Sequence, residues 1–135
     1  MKAKHVLVLG IMACLLLVAV GCTGTTPASS STPAPSFTGS WMTSWVSGEQ
    51  DIPMTLAQTG SAVSGTYKHN DGTIVGTVEG TTLTGTWTEN NGDTKGPFVF
   101  VISADGKTFS GWWAYDDEDF AAIRKESPTW TGTRV

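Results

Sequence analysis

The stretch Thr82-Leu83-Thr84-Gly85-Thr86-Trp87-Thr88-Glu89-Asn90 (TLTGTWTEN) decides the fold. Read with a period of two, Leu83, Gly85 and Trp87 share one face, and four threonines share the other. Alternation of that kind is the mark of a half-buried strand. A glycine in the middle of the apolar face is unusual, because it weakens a strand and leaves nothing to pack. Close variants of the pattern recur at Ala62 (AVSGTYK), Thr73 (TIVGTVE), Thr108 (TFSGWWA) and Thr129 (TWTGTRV). The first run repeats it with Phe37, Gly39, Trp41, Thr43 and Trp45. A flat sheet gains nothing from a row of inward glycines. A strongly coiled, closing sheet does, since glycine permits the bend and makes room for bulky neighbours.

Eight strand-like runs follow from this reading, at 37–46, 52–58, 62–69, 73–79, 82–89, 97–103, 108–115 and 129–135. Short turn signals separate them, among them Thr59-Gly60, Asn70-Asp71-Gly72, Gly80-Thr81, Asn90-Asn91-Gly92-Asp93 and Ala104-Asp105-Gly106-Lys107. Connections this short make sequential strands antiparallel neighbours. The expected fold is all-β: an eight-stranded antiparallel up-and-down barrel, closed so that no strand edge is left free. The one long connection, 116–128, starts with four acidic residues, continues Phe120-Ala121-Ala122-Ile123, and ends in Arg124-Lys125. That charge order suits a helix of one or two turns before the last strand. Phe120 and Ile123 make it a candidate cover for the sixth run, which is apolar on both faces.

The first 36 residues have a different character. A basic start (Met1 to His5) precedes an apolar run, 6–20, too short for an ordinary membrane span and followed by Gly21-Cys22. The expectation is a signal peptide at 1–21. Gly21-Cys22 after small and aliphatic residues resembles a lipobox, although Ala19 stands where that motif most often has Leu. The resemblance implies that Cys22 becomes a lipid-modified N-terminus and that the protein is held at the extracytoplasmic face of a membrane. The segment 22–36 has no charge and no large apolar group, and reads as a tether. Residues 23–36, fully extended, would reach roughly 40 Å at ~3.1 Å per residue. The folded domain is expected at 37–135. Cys14 lies in the signal, so a lipidated Cys22 leaves no disulfide and no free thiol.

From Cys22 onward six Lys or Arg face twelve Asp or Glu, a net charge near −6. Without clustered cations, nucleic-acid binding is not expected. No catalytic constellation can be assembled. His69 is the single histidine of the domain and sits beside a turn. Asp116 to Asp119 lack the ligand spacing of a calcium loop, and no glycine-rich phosphate cradle exists. The expectation is a non-enzyme with neither metal nor cofactor.

Gly39-Ser40-Trp41, together with Arg134 near the end of the last run, resembles the signature of the calycins: lipocalins, fatty-acid-binding proteins and avidins. That resemblance implies that Trp41 packs under the barrel and Arg134 lies across it, a cation over an aromatic face closing one end. The order Phe37 to Trp41, Met54-Thr55-Leu56, Ser64-Gly65-Thr66-Tyr67 is similar to the opening of the avidins. The polar residues with which avidins hold biotin have no counterpart here, so the resemblance implies the fold and not that ligand.

The inward face is unusually aromatic. Trp41, Trp45, Trp87, Trp113 and Trp130 are expected inside with Met54, Leu56, Phe98 and Phe100, and Trp112 outside. Two readings of that interior stand. One is a filled core, with function on the loops or outer face: a protein-binding module, for example a hydrolase inhibitor, or an envelope structural protein. The other is a cavity open at one mouth that takes a small apolar or aromatic ligand, walled by Trp45, Tyr67, Trp87, Trp113 and Tyr115.

Overall fold

The computed structural model describes residues 33–46 and 48–135. The expected signal peptide, Cys22 and almost all of the tether lie outside the described residues.

The turns come first, because they set the register. Gly60 and Gly80 adopt φ of +60° and +62°, each at the first position of a two-residue loop whose second residue has negative φ. That is the pattern of a type II′ turn, whose twist matches the strands it joins. At the opposite end the left-handed positions of one hairpin fall on Asn70 and Asp71, at φ 45° and 53°, and not on the following glycine. Gly72 is already in the strand, where a Cβ would meet the Tyr67 ring. The two ends of the barrel therefore use different turn chemistry.

Eight antiparallel strands result: β1 Gly39–Trp45, β2 Ile52–Thr59, β3 Ala62–Tyr67, β4 Gly72–Glu79, β5 Thr82–Glu89, β6 Thr94–Ile102, β7 Thr108–Trp113 and β8 Trp130–Arg134. Each pairs with its neighbour in sequence, and β8 returns to β1 with Trp41 opposite Arg134 and Trp45 opposite Trp130. The barrel is closed, as the inward glycines predict. Gly76 and Gly85 are directly opposed, and a Cβ on Gly85 would collide with the Gly76 Cα and the Val75 carbonyl. Gly111 meets the Val99 carbonyl in the same way. These glycines let adjacent backbones approach where the sheet coils, while Gly132 lies against the Phe109 ring.

The interior stacks in layers. Trp41, Phe98, Phe100, Phe109 and Trp130 are buried, with Met54, Leu56, Ile74 and Leu83 filling between them. Phe100 and Phe109 stack at 4.3 Å, and Trp41 meets Phe109 edge-on at 5.1 Å. Thr43 is the buried polar residue among them, and its hydroxyl donates to the Ile52 carbonyl at 3.1 Å.

One end is sealed. Phe37, in the lead-in to β1, is wholly buried, and its carbonyl accepts the Trp41 indole N–H at 2.9 Å. The Arg134 guanidinium lies 4.2 Å over the Trp41 ring. It donates to the carbonyls of Thr38 (2.5 Å), Ser36 (2.6 Å) and Gly106 (2.7 Å). The loop presenting Gly106 is organised by Asp105, which accepts from the Ser103 hydroxyl and the Lys107 amide. Those hydrogen bonds hold the Asp105 carboxyl below its usual pKa.

The long connection forms a single helical turn, α1 Phe120–Ile123, capped by the Asp119 carboxylate, which accepts from the Ala122 amide at 3.1 Å. It packs against β7. Outside the barrel, Trp112 stands opposite Val99 of β6 and donates its indole N–H to the Glu126 carbonyl at 2.9 Å. The outer face of β6 is thus only partly covered: Val99 is buried, but Val101 is exposed.

Candidate functional site

The other end of the barrel is open. A cavity of about 210 Å³ lies in this mouth, where β1, β3, β5 and β7 end and β8 begins. Trp45, Tyr67, Trp87, Trp113 and Tyr115 all line it. Five residues drawn from the ends of four sequence runs are thus brought to one place. Trp130 completes the aromatic wall, and Gly48, Glu49, His69 and Glu89 supply the remainder.

The rings form two groups. Trp45 and Trp130, cross-strand neighbours, stack at 5.3 Å with planes 12° apart. Tyr67 and His69 meet Trp45 edge-on at 6.1 and 5.2 Å. Across the cavity lining, Trp87, Trp113 and Tyr115 have centroids 5.2–5.6 Å apart with planes at 70–87° to one another. Edge-to-face contact places each ring's positive edge on a negative face, and such pairs contribute about 0.5–1.5 kcal/mol beyond area. Trp87 is further fixed by its indole N–H, which donates to the Ala114 carbonyl at 3.1 Å. Trp130 has no acceptor for its buried indole N–H among the described residues.

Tyr115 differs from its expected placement on an inward strand face. β7 ends at Trp113, and Tyr115 stands 43% exposed on the rim. The cause is at Ala114, whose carbonyl is claimed by Trp87 and lies so close to Gly96 that a Cβ there would collide with it. Trp113 is half-buried rather than enclosed.

The polar side of the mouth is built around Glu89. Its carboxylate accepts the Tyr67 hydroxyl at 2.8 Å and the Asn70 side-chain amide at 3.3 Å, and the His69 imidazole lies 3.9 Å away. Burial, and then the hydrogen bond and negative charge of Glu89, push the Tyr67 phenol above its usual pKa. Its proton stays on oxygen and is committed to Glu89, so the hydroxyl has no further proton to donate and its oxygen can only accept. The Asn70 carbonyl accepts from the Asn90 amide at 2.7 Å, joining the two mouth hairpins.

His69 and Glu89 follow the same inward alternation as Tyr67 and Trp87, each two residues further on. Extending the period past the aromatic residue would have found both. Glu49 follows no such period, because a loop brings it to the mouth. Of the acidic run, the Asp119 and Glu118 carboxylates are engaged by the Ala122 and Tyr115 amides. Among the described residues no three His, Cys, Asp or Glu side chains converge as a metal site would require.

The closed eight-stranded meander with its aromatic interior is compatible with a calycin-like fold. No protein-family model, no curated protein and no solved structure matches this chain.

Proposed function

We propose that this is an exported, lipid-tethered binding protein whose barrel mouth holds a small apolar or aromatic ligand. The observation that carries the reading is the 210 Å³ cavity walled by Trp45, Tyr67, Trp87, Trp113, Tyr115 and Trp130. The rings contact one another within the wall and still leave this space at the mouth, which side chains would occupy in a filled barrel. An apolar cavity of roughly 150 Å³ suffices for benzene, whereas pockets for drug-sized ligands start near 300 Å³. The mouth therefore suits a molecule of about six to ten heavy atoms. A calycin-like relationship belongs to the same proposal, and the Arg134–Trp41 closure supports it. Attachment to the membrane rests on Gly21-Cys22 and the apolar run before it.

Native mass spectrometry of the full chain, purified from cells that make it naturally, tests the ligand. A single small adduct is expected, and it should disappear in Trp87→Ala and in Trp113→Ala. The second variant alters a half-buried rim residue and spares the deep core. An adduct that survives both variants, with stability unchanged, would place the ligand elsewhere. Cys22→Ser should move the protein from the membrane fraction to the soluble one and remove the lipid mass from its N-terminal peptide. An unmodified N-terminal peptide in the unsubstituted protein would refute the tether.

A further inference from the structure

We infer that the ligand of this mouth is a small organic cation of the quaternary-ammonium or alkylammonium class. The inference rests on the binding reading above and adds the sign of the charge.

Two observations carry it. The first is the cavity lining. Its ionisable side chains are Glu49, Glu89, His69, Tyr67 and Tyr115, with no Lys or Arg among them. An aromatic wall is itself not electrically neutral in its effect, because each ring presents a negative face. Cations over such faces are attracted, more strongly when desolvated than when exposed, and aromatic enclosures are the recurrent solution for quaternary ammonium groups. In the Trp87, Trp113 and Tyr115 group the planes stand close to right angles, the arrangement that surrounds a rounded ion on several sides. Glu89 is held beside the cavity by Tyr67 and Asn70, and its side chain is only 12% exposed. A carboxylate fixed in that position has more lone pairs than these two donors occupy. A cation would match it, and an anion would be repelled.

The second observation is the distribution of charge over the whole domain. Ten of the twelve carboxylates, against four of the six Lys or Arg, lie on the mouth-side strand ends and loops. Glu79, Asp105, Lys107 and Arg134 lie at the sealed end. The mouth end thus bears the entire net charge of −6, and the sealed end is balanced. None of the four cations at that end lines the cavity. Lys95 is paired with Asp116 at 3.8 Å, and Lys68 is exposed beside the turn. A field of one sign concentrated around a low-dielectric cleft raises the local concentration and the association rate of the opposite ion.

The test compares choline with its uncharged carbon isostere, in which a tert-butyl group replaces the trimethylammonium. Both are titrated into the full chain at fixed ionic strength and followed by tryptophan fluorescence and calorimetry. Choline should bind at least about tenfold more tightly than the isostere, as the aromatic contribution alone predicts. Glu49→Gln, at an exposed position where the fold is not at stake, and Glu89→Gln should each weaken choline severalfold more than they change the isostere. Equal binding of the two probes, or choline binding unchanged in the double variant, would overturn the cationic assignment while the apolar-cavity reading survives. If choline fails and indole binds, the site takes neutral aromatic molecules and the inference is wrong. If choline, the isostere and indole all fail, the cavity reading falls with it.

Discussion

Replacing Arg134 should cost more stability than a surface charge normally does. Exposed ion pairs contribute about 0–1 kcal/mol, and an exposed arginine would ordinarily be replaceable. Arg134 is not in that position. Its guanidinium donates three hydrogen bonds at 2.5–2.7 Å, to carbonyls of the lead-in segment and of the β6–β7 loop. Hydrogen bonds made by a charged group contribute about 1.5–3 kcal/mol each, so three set a ceiling of roughly 4.5–9 kcal/mol. The ceiling is not reached, because the released carbonyls can be rehydrated at this partly exposed end. The cation over Trp41 adds about 0.5–1 kcal/mol. We expect Arg134→Ala to destabilise the barrel by about 2–4 kcal/mol, a severe single-residue effect with a named cause. For a domain of this size, that lowers Tm by roughly 10–25 °C. Arg134→Lys should cost about 1–2 kcal/mol: it keeps the charge over Trp41 but cannot fork to three carbonyls. Urea unfolding followed by tryptophan fluorescence measures both, with unchanged m-values showing that the unfolded state is the same. A loss below about 0.5 kcal/mol in Arg134→Ala would refute the closure. Indistinguishable Lys and Arg proteins would show that charge alone matters and not the fork.

Further outcomes follow from the same geometry. Gly85→Ala should cost at least about 3 kcal/mol or prevent folding, because its Cβ meets backbone that cannot yield, whereas Gly48→Ala, in open space, should lie within about 1 kcal/mol of the parent by thermal melting. Tyr67 has its pKa raised on folding, so its contribution is complete below the unfolded pKa near ~10 and is lost as pH rises above it, by up to about 1.4 kcal/mol per pH unit. Tyr67→Phe should flatten that alkaline slope in urea titrations, and an unchanged slope would assign it to another group. Trp112→Phe removes the indole donor to Glu126, and should cost about 1 kcal/mol and speed proteolysis of the 114–129 connection. Equal proteolysis would show that Trp112 does not hold that segment.

What could be read in the sequence was whatever the period of two records. The inward glycines and their aromatic neighbours predict closure, because only a coiled sheet brings backbones so near that Gly76 must face Gly85. The pairing of Trp41 with Arg134 was legible only through a resemblance, since the two are far apart in the chain and no local pattern joins them. The end of β7 was not legible: Thr108 to Tyr115 alternates on paper, but the chain leaves the sheet at Ala114, whose carbonyl serves an indole from β5. The polar half of the mouth was missed for a different reason. His69 and Glu89 stand at the ends of their runs, where polar residues are ordinary; the period puts them on the inward face, but the burial of Tyr67 beside them is what makes them part of a site.

The chain enters the barrel at its sealed end, through Phe37, and leaves it there, where the Val135 amide donates to the Ser40 carbonyl at 3.1 Å. The four mouth-side connections thus carry neither the entrance nor the exit of the domain. Insertions and substitutions in them can accumulate without disturbing the seal, so the two ends of this barrel are free to evolve at different rates. Engineering inherits the same freedom. A partner protein fused at residue 33 or after Val135 starts at the sealed end, and the mouth loops can be randomised as a library while Trp41 and Arg134 keep the barrel shut.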